Sequence, residues 1–225
     1  MKKILLVDLD DTLLDFRKTS DKAIVAVFNK HNIPATKENL DKYGKINQSY
    51  WERYEKKEIT RNVILSERFC TFFNNFGVKT DGKEENKIYF DGLKNIVIYI
   101  DDAMEFLSRC KKMGMTICLV SNGVNEVQES RLKFSGIEEY LDKRYISEFI
   151  GYAKPDINFF KVIENDYPLK KDEMVILGDS LSSDMQGGKN FGITTVWYNP
   201  HHKISDLPDY SISNLLDFFS LEIMK

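Results

Sequence analysis

The most constraining feature of this sequence is a set of short apolar runs, each stopped by a polar residue. They are Ile4–Val7 before Asp8, residues 116–120 before Ser121, residues 174–177 before Gly178-Asp179, and Thr194–Tyr198 before Asn199. Apolar and polar residues do not alternate in these runs, as they would in a sheet with one wet face. Continuous apolarity over so few residues fits strands buried on both faces, as in a parallel sheet covered by helices. Helical patterns stand between the runs. Residues 103–113 close on Gly114, placed as a C′ glycine, and Asn125–Ser135 ends near Gly136. Residues 157–165 follow Pro155-Asp156, where Asp156 is placed to N-cap. Strand alternating with helix predicts an α/β fold, a doubly wound, Rossmann-like parallel sheet.

Residues 16–92 break that rhythm. They read as consecutive helices over 20–31, 37–57, 60–76 and 81–89, with Ser20 or Asp21 and Thr60 as N-cap candidates and no strand signal among them. The expected organisation is an α/β core of residues 1–15 and 93–225, with a helical insertion of residues 16–92 after the first strand. A chain of 225 residues suits one domain carrying such an insertion.

Composition narrows the function classes. A formal charge of −3 argues against a nucleic-acid polymer as partner, since backbone-gripping surfaces are basic. The lysine pairs Lys2-Lys3, Lys56-Lys57, Lys111-Lys112 and Lys170-Lys171 are scattered and read as solvated helix faces. Cys70, Cys110 and Cys118 form no CxxC and give an odd count, so no disulfide framework or zinc site is expected and a reducing, cytoplasmic setting fits. The apolar run after Lys2-Lys3 ends at Asp8, too soon for an export segment, and no stretch approaches a membrane span. A soluble, intracellular protein is the expectation.

Ligands of open α/β sheets bind outside the carboxyl ends of the strands. Four polar clusters are expected there: Asp8-Leu9-Asp10-Asp11-Thr12, Ser121-Asn122-Gly123, Lys154-Pro155-Asp156, and the run from Gly178-Asp179 to Asp184. Acids that close repel one another unless a cation sits among them, and oxygen-only ligands favour Mg²⁺. Lysine, Mg²⁺, a serine hydroxyl and backbone amides together make a phosphate environment. A carboxylate aimed at phosphorus, with a second carboxylate nearby, can serve as nucleophile and general acid. Each cluster alone is weak, being equally a turn or a helix cap. An EF-hand is excluded, because Leu13 stands where glycine is needed and Thr19 where glutamate is needed.

In this order the four clusters resemble the motifs of the haloacid dehalogenase superfamily, in its phosphatases with a helical cap. That resemblance implies a Rossmann-like core and makes residues 16–92 the cap. It implies that Asp8 is the nucleophile and forms an aspartyl-phosphate, while Asp10 protonates the leaving alcohol and then activates water. It implies Mg²⁺ held by Asp8, the Asp10 backbone carbonyl and Asp179. Ser121 and the Asn122 amide would bind phosphoryl oxygens, Lys154 would balance charge, Asp184 would orient Lys154 or a metal-bound water, and Thr12 would brace the loop. Asp10 argues for a phosphatase, since an alkoxide leaving group needs a proton and a halide does not.

The segment from Tyr43 to Glu55, Ile59-Thr60-Arg61, Arg68-Phe69, and Val196-Trp197-Tyr198-Asn199 with His201-His202 are similar to the pyrimidine 5′-nucleotidase branch. That likeness implies pyrimidine nucleoside monophosphates as substrates, with Tyr50, Trp51 and Tyr54 as candidates to stack on a base, or equally as packing between helices. Phosphoglycolate or a sugar phosphate is the alternative substrate. A receiver-like signalling module also puts acids, a hydroxyl and a lysine at strand ends. There, however, the phosphorylated aspartate ends a middle strand, and no such acid lies between Asp10 and Ser121. Cap closure, hinged near 14–17 and 93–96, is expected to exclude water.

Overall fold

A computed structural model of the chain describes residues 3–167 and 171–224, so Lys2 and Lys170 of the lysine pairs lie outside the described residues. The chain opens with β1 (Ile4–Val7) and continues through four helices, α1 (Phe16–Lys30), α2 (Lys37–Glu55), α3 (Arg61–Asn74) and α4 (Lys83–Lys94). There follow α5 (Ala103–Lys112), β2 (Thr116–Ser121), α6 (Asn125–Ser135), β3 (Lys143–Ile146), α7 (Ser147–Ile150) and α8 (Ile157–Asp166). The chain ends with β4 (Met174–Gly178), α9 (Gln186–Phe191), β5 (Thr194–Tyr198) and β6 (Tyr210–Ile212). Two compact units result, one of Met1–Asp15 with Tyr99–Lys225 and one of Phe16–Ile98.

In the first unit six parallel strands run in the order β3-β2-β1-β4-β5-β6. The apolar runs are continuous because both faces of the central strands are covered. Ile4, Leu6, Cys118, Val120, Met174 and Ile176 pack on Phe159, Phe160 and Ile163 of α8 and on Phe191 of α9. Leu5, Val7, Ile117, Leu119, Val175 and Leu177 point the other way and are equally buried. Each large apolar side chain so buried contributes roughly 1.5–3 kcal/mol. The edge strands β3 and β6 were not among the expected strands. In β3, Lys143 and Arg144 are exposed and only Tyr145 and Ile146 are buried, so no apolar run marks it. Asp156 N-caps α8 as expected, accepting from the Asn158 amide.

The second unit contains no strand among its described residues. Its core is aromatic: Phe28 stacks on Phe72 at 4.8 Å and Tyr43 on Phe69 at 5.4 Å, with Tyr89 edge-on to both Tyr43 and Phe69. Two expectations are corrected here. Helix α1 begins at Phe16, so neither Ser20 nor Asp21 is an N-cap; both lie within the helix, and Ser20 is buried there, its Oγ 2.7 Å from the Tyr89 hydroxyl. The expected boundary at 92 falls inside α4, because Gly92 serves close packing there rather than a helix end: a Cβ at this position would meet the Ala23 Cβ at 3.0 Å. Thr60 stands at the N-cap of α3 without a side-chain cap bond, whereas Thr36 caps α2 through the Asn39 amide. The cysteines are free thiols, and among the described residues no helix is long and apolar enough to cross a membrane.

Candidate active site

The order of the strands reverses between β1 and β4, and crevices at such switch points are where open α/β sheets take ligands. Asp8 follows β1, Ser121 closes β2 and Asp179 follows β4, so three adjacent strands deliver them to one edge of the sheet. Beyond Asp8 the chain turns sharply. Asp11 takes a left-handed conformation (φ 57°), and the Leu13 and Leu14 amides both donate to the Leu9 carbonyl.

Lys154, from the loop before α8, is the hub. Its ammonium donates to Asp8 Oδ1 at 2.6 Å, Asp184 Oδ1 at 2.6 Å and the Val120 carbonyl at 2.8 Å, which uses all three of its protons. Asn122 anchors that loop reciprocally, donating to the Lys154 carbonyl at 2.8 Å and accepting from the Lys154 amide at 2.9 Å. Asp184 lies in a π-helical turn (Leu181–Met185), and its second oxygen accepts from the Ser180 amide at 3.2 Å. Gly178 makes that approach possible, because a Cβ there would lie 2.2 Å from Asp184 Oδ2. Trp197 holds the Asp179 carbonyl through its indole N–H at 2.8 Å, and the buried Thr12 hydroxyl lies 3.5 Å from Asp179 Oδ1.

The charge balance is lopsided. Burial raises the Asp8 carboxyl to about 8; Lys154 pulls against the rise, while Asp184 and Asp10 add to it. Burial, with Asp11, Asp8 and Asp184 nearby, lifts Asp179 well above the usual range. Lys154 loses solvation but is held in its charged form by Asp184 and Asp8, its pKa pushed up. Carboxylate oxygens of Asp8, Asp179 and Asp184 come within 4.8 Å of one another. An oxygen-only donor set whose members oppose each other's ionisation fits a hard divalent cation such as Mg²⁺.

The Asp10 carboxylate, expected as the general acid while the Asp10 backbone carbonyl serves the metal, lies outside that trio. It is ion-paired with Arg131 and accepts from Gln128 at 2.7 Å. Neither α6 residue was singled out in the sequence. The signal was Arg131 on the buried stripe of its helix, one turn after Val127, where a charged residue needs a partner. Of the aromatic candidates on α2, Tyr50 is buried with its hydroxyl 2.8 Å from Thr71 Oγ1. Trp51 and Tyr54 are half-buried and meet edge to face, and the Arg61 guanidinium lies over Tyr54. His201 and His202 are exposed and belong to no metal-holding group among the described residues.

Comparison with known proteins adds a family and relatives. The haloacid dehalogenase-like hydrolase family model matches residues 5–198. The chain is 31% identical to pyrimidine 5′-nucleotidase PynA of Streptococcus pneumoniae, over 99% of this chain and 97% of that one. It is 28% identical to pyrimidine 5′-nucleotidase YjjG of Escherichia coli, over 92% of each. Among solved structures, the magnesium-bound crystal structure of HAD-hydrolase YfnB from Bacillus subtilis superposes with a TM-score of 0.92. It is 30% identical and covers 100% of this chain and 99% of that one.

Proposed function

The chain belongs to the haloacid dehalogenase-like hydrolases, and from that premise we propose that it is a Mg²⁺-dependent phosphomonoester hydrolase working through an aspartyl-phosphate on Asp8, with pyrimidine nucleoside 5′-monophosphates as its substrates. The observation that carries the reading is the Lys154 ammonium placed 2.6 Å from both Asp8 and Asp184, beside Ser121 and Asp179, at the carboxyl edge of the sheet. The pyrimidine preference rests on the two nucleotidase relatives. In the magnesium-bound YfnB structure, interdomain movement is seen, which supports assigning residues 16–98 the part of a moving cap.

In this scheme the Asp8 carboxylate attacks phosphorus and the bond to the ester oxygen breaks. Asp10 gives its proton to the departing alkoxide. Water then attacks the acyl phosphate, passing a proton to Asp10, and phosphate leaves with Asp8 restored. Lys154 offsets charge between nucleophile and phosphoryl group, and Asp184 positions Lys154. Ser121 and the Asn122 amide take phosphoryl oxygens, while Thr12 and Trp197 steady Asp179. Asp8, Asp179 and the Asp10 backbone carbonyl would hold Mg²⁺, which would supply positive charge to the carboxylates and to the phosphoryl oxygens.

The test is phosphate release with Mg²⁺ from a matched panel of UMP, dUMP, dTMP, purine monophosphates, phosphoglycolate and sugar phosphates. Preferential release from the pyrimidine nucleotides is expected. A preference for phosphoglycolate or a sugar phosphate would overturn the substrate and keep the chemistry. No release from any ester would overturn both.

A further inference from the structure

We infer that Gln128 is a positioning residue for the reaction proposed above, on which this inference rests: its side-chain amide sets the Ser121 hydroxyl as a donor and, with Arg131, fixes the direction of the Asp10 carboxyl group. The three side chains of the network, Ser121, Gln128 and Arg131, are all buried. Gln128 Nε2 has two protons, and both are placed: one meets Asp10 Oδ2 at 2.7 Å and the other Ser121 Oγ at 2.8 Å. Gln128 Oε1 accepts from Arg131 Nη1 at 3.1 Å, and the same Nη1 is ion-paired with Asp10 Oδ1. A flipped amide would set its oxygen against a carboxylate and its NH₂ against a guanidinium, so the network admits one orientation.

That orientation has consequences at two atoms. Ser121 Oγ accepts from Gln128 and also from the Gly123 amide at 3.0 Å. With both lone pairs taken, its own proton is what it can still offer, and a phosphoryl oxygen is the acceptor that needs one. Asp10 has one oxygen on Gln128 and the other on Arg131, so the carboxyl that must reach the leaving oxygen is aimed by α6. Gln128 therefore joins the group that binds phosphate to the group that handles the leaving-group proton. Gly123 protects the arrangement, since a Cβ there would lie 2.5 Å from Gln128 Nε2.

Two substrates separate aiming from mere packing. A nucleoside monophosphate has an alkoxide leaving group that needs Asp10, whereas p-nitrophenyl phosphate releases a stabilised phenolate that scarcely does. Gln128→Met keeps the bulk and removes both donors. It should lower kcat/KM on UMP by on the order of 100-fold and on p-nitrophenyl phosphate by roughly 10-fold, with weaker inhibition by inorganic phosphate. Gly123→Ala, which pushes the amide aside and removes no polar group, should move the same ratio in the same direction by less. It carries the test if Gln128→Met does not fold by circular dichroism. Equal losses on both esters, or wild-type values in a folded variant, would overturn the inference. A wild-type enzyme that hydrolyses neither ester would instead overturn the phosphatase reading, and this inference with it.

Discussion

The helical unit buries Glu85 and Arg68, and the α/β unit buries Asp8, Asp184 and Lys154; the two units treat these charges in opposite ways. Burial alone would raise Glu85, but the Thr80 hydroxyl, backbone N–H, Lys30 and His31 outweigh it and bring the carboxyl down to about 2. Arg68 donates to Asn47 at 2.9 Å and Asn86 at 2.5 Å, with the Phe69 and Tyr89 rings about its guanidinium. In the α/β unit one ammonium faces several carboxylates, and Asp8 and Asp179 are pushed up rather than down. Charge that is satisfied in place stabilises a fold. Charge left opposed stores an affinity for a cation and an anionic group, as functional sites do.

The largest expected effect falls on the opposed side. Asp8→Asn should lower turnover by on the order of 10⁴-fold while leaving thermal stability equal or higher, because a buried carboxylate is exchanged for a neutral amide. Lost turnover together with a large fall in Tm would instead mean that Asp8 is structural.

What the sequence disclosed follows the same division. Strands β1, β2, β4 and β5 are legible because burial on both faces writes an unbroken apolar run. The acid and hydroxyl clusters are legible because they stand straight after such runs, whereas Lys154 follows the short helix α7 and shows only as a Lys-Pro-Asp helix start before α8. β3 and β6 lie at the sheet edges and carry exposed residues, so they write no such pattern. The start of α1 is hidden because no acidic residue marks its first turn. Gln128 and Arg131 are hidden for another reason: their meaning lies in a pairing with Asp10, 118 and 121 residues away in the chain, which no local pattern announces.

Four further experiments sharpen the comparison, in falling order of effect. Lys154→Met should destabilise the fold by about 3–5 kcal/mol in chemical denaturation, since it leaves Asp8 and Asp184 buried without their cation. A loss near zero would show that those carboxylates are neutral in the free protein. Mg²⁺ at roughly 100 times its Kd should stabilise the wild type by about 2.7 kcal/mol. At one fixed concentration, set to that multiple of the Kd at pH 8, the gain should be smaller at pH 5. Asp8 titrates near 3.8 when unfolded and about 8 when folded, so without a cation stability falls as pH rises between those values. An equal gain at both pH values would contradict the raised carboxyl.

Glu85→Gln should cost about 2 kcal/mol and leave kcat on p-nitrophenyl phosphate within about twofold. In the wild type this contribution is fully present above pH 4.5, the usual glutamate value, and is lost as pH falls toward 2. A wild type and variant whose stabilities stay parallel from pH 6 to pH 3 would break that half of the comparison. Thr36→Ala, which removes only the cap on α2, should cost about 1 kcal/mol with no change in turnover.

Phosphoryl transfer to Asp8 is tested most directly by quenching the enzyme in acid during turnover of UMP with Mg²⁺ and mapping the phosphoryl group by peptide mass spectrometry. An acid-stable, hydroxylamine-sensitive phosphoryl group is expected on Asp8 and absent from Asp8→Asn. A phosphoryl group on Asp10 or Asp179, or full turnover by Asp8→Asn, would contradict it.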